Sequence, residues 1–162
     1  MRKLWVLLPM LFALMGCGQE TVWETVGDTV LMTGAPVKQE ISVTLPEDTV
    51  LPVMETDGGQ LYMCRDFDVM VQTLDGGDLN RTIMEVSGKA LSDLTVMETA
   101  QQDLRSYSFL WTAGTDTGET VNRCRILDDG NYHYAVTAQI PVEKEPEYRE
   151  IITGMLETVT LG

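Results

Sequence analysis

The stretch from Tyr107 to Ile140 most constrains what this chain folds into. Tyr107, Phe109 and Trp111 alternate with Ser108 and Thr112. Thr120 to Leu127 follows the turn residues Thr115-Asp116-Thr117-Gly118, and Asp128-Asp129-Gly130-Asn131 leads into Tyr132, Tyr134, Val136, Ala138 and Ile140 on one face. A period of two sends successive side chains to opposite faces, and Asp-Gly between two such runs signals a hairpin. Three runs joined by short turns predict an antiparallel meander with an aromatic face.

Two helices frame it. Asp78 is a good N-cap, Leu79, Ile83 and Val86 recur at i, i+4 and i+7, and Gly88 is a natural stop. Near the end, Pro146 sits where a first-turn proline is tolerated, and Tyr148, Ile151, Ile152, Met155 and Val159 form an amphipathic stripe. Earlier, Glu40 to Leu45 alternates up to Pro46, Gln60 to Cys64 follows Asp57-Gly58-Gly59, and Phe67, Val69 and Val71 face one way; Leu94 to Met97 is a short strand candidate. Strands, helix, meander and terminal helix make an α+β domain: an antiparallel sheet of about six strands flanked by two helices.

That element order over roughly residues 40–161, with the string from Asp128 to Thr137, Pro141 and the amphipathic terminal helix, resembles PsbP/Mog-like domains. Leu61 to Cys64 and Val71 to Leu79 resemble segments of small lipoproteins of Gram-positive anaerobes. PsbP-like domains are binding or assembly modules without active sites, so the resemblance implies a non-enzymatic role. It transfers no site residue.

The N-terminal segment is an address. Arg2 and Lys3 precede an apolar run from Leu4 to Leu14, and Leu14-Met15-Gly16 leads into Cys17. Basic start, apolar stretch and small residue before a cleavage point make a secretory signal. The ending resembles the lipobox of bacterial lipoproteins, which implies that Cys17 becomes the acylated N-terminus. The expected layout is a signal peptide over 1–16, a lipidated tether over 17–39 and a single α+β domain over 40–162. The expected location is the extracytoplasmic face of the cell membrane, held there through Cys17. The apolar run is short of the roughly 20 residues a spanning helix needs.

The chain carries 11 Lys and Arg against 25 Asp and Glu, a net charge of −14 that loss of Arg2 and Lys3 takes to −16. A surface that acidic repels nucleic acid and anionic lipid headgroups, so neither is an expected partner.

With Cys17 acylated, Cys64 and Cys124 remain. An even pair in an exported domain is a candidate disulfide, closing a loop of about 60 residues and stabilising by roughly 4 kcal/mol. The alternatives are buried free thiols, or redox or metal chemistry, with Arg123 and Arg125 beside Cys124 favouring its thiolate. There is no Cys-x-x-Cys, and one histidine does not complete a usual zinc site.

No motif specifies catalysis. His133, the single histidine, falls opposite Tyr132 and Tyr134 and reads as a sheet-surface residue. No serine sits in a Gly-x-Ser-x-Gly elbow. The pairs Asp66 and Asp68, Asp75 and Asp78, and Asp128 and Asp129 fit turns and caps better than a calcium loop. Gly76-Gly77 lacks the Lys and Ser/Thr of a phosphate loop. Arg81, Arg105, Arg123 and Arg125 form either a small basic patch or, more simply, cross-strand pairs with acids.

No cofactor or metal is expected. The expectation is a membrane-anchored protein-interaction or assembly module with a protein partner. The alternative is a small-ligand-binding accessory to an envelope or transport complex, with an apolar cleft near Trp111 and Tyr134. A hydrolase built on an unrecognised carboxylate pair is a further rival.

Overall fold

A computed structural model describes residues 24–26, 29–31, 35–50, 52–56, 58–101 and 104–162. The leader and Cys17 lie outside the described residues. The chain divides into two units, Met1–Ala35 and Pro36–Gly162. In the first, β1 (Glu24–Val26) and β2 (Thr29–Leu31) pair antiparallel.

The second unit is built on a seven-stranded sheet. Its strands are β4 (Met54–Thr56), β5 (Gly59–Met63), β6 (Asp68–Asp75), β7 (Met97–Gln101), β8 (Leu104–Thr115), β9 (Gly118–Asp128) and β10 (Tyr132–Pro141), in the spatial order β4-β5-β6-β10-β9-β8-β7. Every neighbouring pair is antiparallel. The expected meander is β8-β9-β10. The α+β antiparallel expectation is met, with seven strands in the main sheet against about six expected; β4 joins it, and the expected strand at residues 40–45 lies outside it. The segment from Leu91 forms a 3-10 turn (Leu91–Asp93), and the strand expected at Leu94–Met97 begins at Met97 instead.

Helix α1 (Leu79–Ser87) starts and stops where the sequence places it. The Asp78 carboxylate accepts the backbone N–H of Asn80 (3.0 Å) and of Arg81 (3.3 Å), and Gly88 adopts φ +67°, the left-handed conformation glycine tolerates. Helix α2 (Glu145–Glu157) carries Glu145 and Glu147 in its first turn, where acids suit the helix dipole. The run from Glu40 to Leu45 contributes β3 (Ile41–Ser42), which pairs with β11 (Thr160–Leu161) as a separate ribbon outside the main sheet. Pro36 to Gln39, placed in the tether by sequence, lie along the start of β10. The Tyr134 hydroxyl accepts Gln39 N–H at 3.0 Å, and the Tyr132 hydroxyl donates to the Pro36 carbonyl at 3.2 Å.

The sheet is covered on both faces. Under α2, Val69, Val71, Leu127, Tyr134, Val136, Ala138 and Ile140 pack with Ile152, Met155 and Leu156. Under α1, Ile83 packs with Tyr107, Phe109, Trp111, Cys124, Ile126 and Ala135. β10 lies at the centre with three strands on each side, so both of its faces are buried. This makes His133 a core residue rather than the surface residue expected: its face is the one α1 covers, and it is 1% exposed.

Candidate functional site

The polar residues singled out by sequence are mostly occupied within the fold. Asp129 accepts the backbone N–H of Asn131 and Tyr132, each at 2.8 Å, and its other oxygen accepts the Tyr134 hydroxyl at 2.9 Å. Burial of Asp129 works against its charge, yet the Tyr132 and Asn131 N–H groups hold its carboxyl below the usual range. Asp128 accepts Gly130 N–H at 2.8 Å. Asp66 takes the Tyr148 hydroxyl at 2.5 Å, which lowers the acid and, through that hydrogen bond, pushes Tyr148 up to about 12.

Thr82 Oγ1 and His133 Nδ1 lie 2.6 Å apart, and Asp128 Oδ2 is 3.7 Å from His133 Nε2. Hydroxyl, imidazole and carboxylate follow the order of a nucleophilic triad. However, Thr82 is 2% and His133 1% exposed. Sealed between helix and sheet, the set joins α1 to β10 and offers a substrate no access.

The cysteines do not form the expected disulfide. Cys64, in the turn after β5, lies in the core under α2, whereas strand alternation in β9 puts Cys124 in the core under α1, on the opposite face of the sheet, and both thiols are free. The same alternation turns Arg123 and Arg125 away from Cys124. Burial pushes the Cys124 thiol up to about 12, and burial raises Cys64 despite its contact with the Thr49 hydroxyl. Native alkylation is therefore expected to label neither thiol within the time needed to label an unfolded control. Reduction of the native protein should not change the mass of its domain. Prompt labelling of Cys124 would contradict this burial.

The four arginines do not share one patch. Arg105 is opposite Asp128 on the α1 face, and Arg81 is on α1 itself. Arg123 and Arg125 lie on the α2 face and brace that helix at both ends. Arg123 Nη2 donates to Glu145 Oε1 at 2.7 Å, and Arg149 from the next turn donates to both oxygens of Glu145. Hydrogen bonds from Arg149 and then Arg123 hold the Glu145 carboxyl at about 2. Arg125 donates to Ser106 Oγ at 3.0 Å and to the Leu156 carbonyl at 2.9 Å, satisfying one of the orphan carbonyls at the end of α2. Sequence reasoning missed this cap because the partners are 31 residues apart.

The space beside these arginines is the most site-like feature among the described residues. A groove of about 620 Å³ lies between β8–β9 and the C-terminal half of α2. Met97, Leu110, Arg123 and Arg125 line it from the sheet, and Thr153, Leu156 and Glu157 from the helix. Leu110 is 51% and Met97 68% exposed, so the groove is open to solvent. It is a cleft between sheet and helix, but not the one expected at Trp111 and Tyr134. Those side chains are buried in different cores on opposite faces. A smaller depression of about 310 Å³ lies where β4 and β5 extend past α1, lined by Met54, Leu61, Met70 and Glu85. No cluster of potential metal ligands occurs among the described residues.

No protein-family model matches the chain, and no curated protein does. Among solved structures the chain is similar to cyanobacterial PsbP (CyanoP) of Synechocystis, with a TM-score of 0.57 and 8% identity over 75% of this chain and 86% of that one. Weaker likenesses are to the Ran-binding protein Mog1p of Saccharomyces cerevisiae (TM-score 0.47, 9% identity, 75% and 89% covered) and to LpqN of Mycobacterium tuberculosis, involved in cell envelope biogenesis (TM-score 0.49, 10% identity, 79% and 86% covered). The likeness to CyanoP is one of fold, and it meets the expectation of a PsbP-like domain.

Proposed function

We propose that this chain is an extracytoplasmic, membrane-anchored protein-interaction or assembly module and not an enzyme. One observation carries the proposal. Each face of the sheet packs a buried core against its own helix, and what the domain leaves open is an outer groove and a sheet edge. The triad-like set of Thr82, His133 and Asp128 has its hydroxyl and imidazole buried, and Asp66, Asp78, Asp128 and Asp129 are engaged in helix contacts, a cap and turns. The PsbP/Mog-like element order implies the same kind of role. The lipobox-like ending at Cys17 supports the anchor, and no helix among the described residues is long and apolar enough to cross a membrane.

Crosslinking in intact cells, followed by identification of what copurifies with the anchored protein, tests this function. One dominant envelope protein is the expected result, and Cys17→Ala should release the chain from the membrane fraction. A retained small molecule without a protein partner would favour the ligand-binding alternative.

A further inference from the structure

β8 is longer than the strand that covers it. β7 pairs with Leu104 to Ser108 alone, and the chain leaves the sheet beyond Met97 toward the core under α1. From Phe109 to Thr115 the outer edge of β8 has no paired strand among the described residues, although the inner edge pairs with β9 in unbroken register to Gly118. Alternating main-chain N–H and C=O groups along that outer edge are left without a ladder partner, a template for another strand.

Natural sheets guard such edges with short strands, charges, prolines or bulges. The opposite edge is guarded: β4 has three residues, all exposed, with Glu55 in the middle. The unpaired part of β8 is Phe109-Leu110-Trp111-Thr112-Ala113-Gly114-Thr115, with no charge, no proline and no break in register. Beside it lies the groove, where Leu110 and Met97 present half-exposed to exposed apolar surface.

We propose that this edge receives an extended segment of a partner protein as an added strand in the lane that β7 vacates. The inference rests on the interaction-module reading and names its docking surface. Main-chain hydrogen bonds supply affinity in such additions, and pockets for alternate side chains supply specificity. Charge fixes the chemistry of the occupant. The guanidinium groups of Arg123 and Arg125 are held by Glu145, Ser106 and the Leu156 carbonyl, while Asp93 and Glu157 stand at the groove rim. The domain thus offers apolar sockets between carboxylates on a chain of net charge −14. The matching segment alternates apolar side chains and carries basic residues at its ends. A second copy of this chain would bring like charges together at the same rim.

The test uses the full-length protein and two synthetic peptides. One is acetyl-Lys-Val-Thr-Val-Thr-Val-Lys-amide, and the other replaces both lysines by glutamates. The basic peptide is expected to slow amide exchange from Phe109 to Thr115 by about tenfold, leaving β4 and β5 unchanged. The acidic peptide and the variant Leu110→Lys should each bind about tenfold more weakly, the variant with native exchange in β10. Protection elsewhere, equal binding of both peptides, or no protection at saturating peptide would overturn the proposal. So would a dimer of this chain that protects the edge with no peptide present.

The crosslinking experiment separates the two levels. A protein captured equally by the native chain and Leu110→Lys would overturn the edge and leave the module reading standing. No captured protein would overturn the module reading itself.

Discussion

Replacing Ile83 by alanine is expected to destabilise the domain by about 3–4 kcal/mol, the range for a large aliphatic side chain removed from a core that collapses poorly. Ile83 is the one apolar residue of α1 with no exposed surface. It packs in a cluster with Tyr107, Phe109, Trp111, Cys124, Ile126 and Ala135, most of them on rigid strands paired on both sides. Those strands cannot close over the missing atoms, so a cavity remains. Leu79 and Val86 are only partly buried and hold the helix less strongly. Urea denaturation should show the loss as a lower midpoint at unchanged slope. A loss under about 1 kcal/mol would mean that α1 does not seal this face.

The second large effect is at Glu145. It is 8% exposed and ties Arg123 of β9 to the start of α2 while pairing with Arg149 along the helix. Glu145→Gln keeps the shape but removes the charge from these bonds, and a cost of about 2 kcal/mol at neutral pH is expected from charge-assisted hydrogen bonds of this kind. The sign of the pH dependence follows from the lowered pKa. The folded carboxyl ionises at about 2 against an ordinary value of 4.5, so its contribution is present above 4.5 and is lost as pH falls through about 2. Glu145→Gln should therefore differ most from the native chain above pH 4.5 and converge on it as pH falls toward 2. A constant difference across that window would contradict the assignment.

The meander, the Asp78 cap, Gly88 and the span of α2 were legible because their signals are local: alternation, a capping side chain, a first-turn proline. What the sequence hid was determined by which face each strand presents and what lands on it. Alternation puts His133 on the right face, opposite Tyr132 and Tyr134, but its burial depends on α1 arriving there through Thr82, 51 residues away. A signal existed. Tyr132 to Ile140 contains no charged residue, the pattern of a strand buried on both sides. The disulfide expectation failed for a related reason, since counting cysteines says nothing about the side of the sheet each one faces. The groove and the open edge of β8 were illegible because both arise where β7 stops short and α2 crosses, a matter of tertiary register.

Position-resolved photo-crosslinking in intact cells tests whether this surface docks a protein. A photo-crosslinking amino acid replaces Leu110 at the groove in one strain and Met84, exposed on α1, in another. A protein-interaction module docking through this surface predicts one dominant protein adduct from position 110 and none from position 84. No protein adduct from either position, with a small molecule retained by the purified chain, would contradict a protein-docking role.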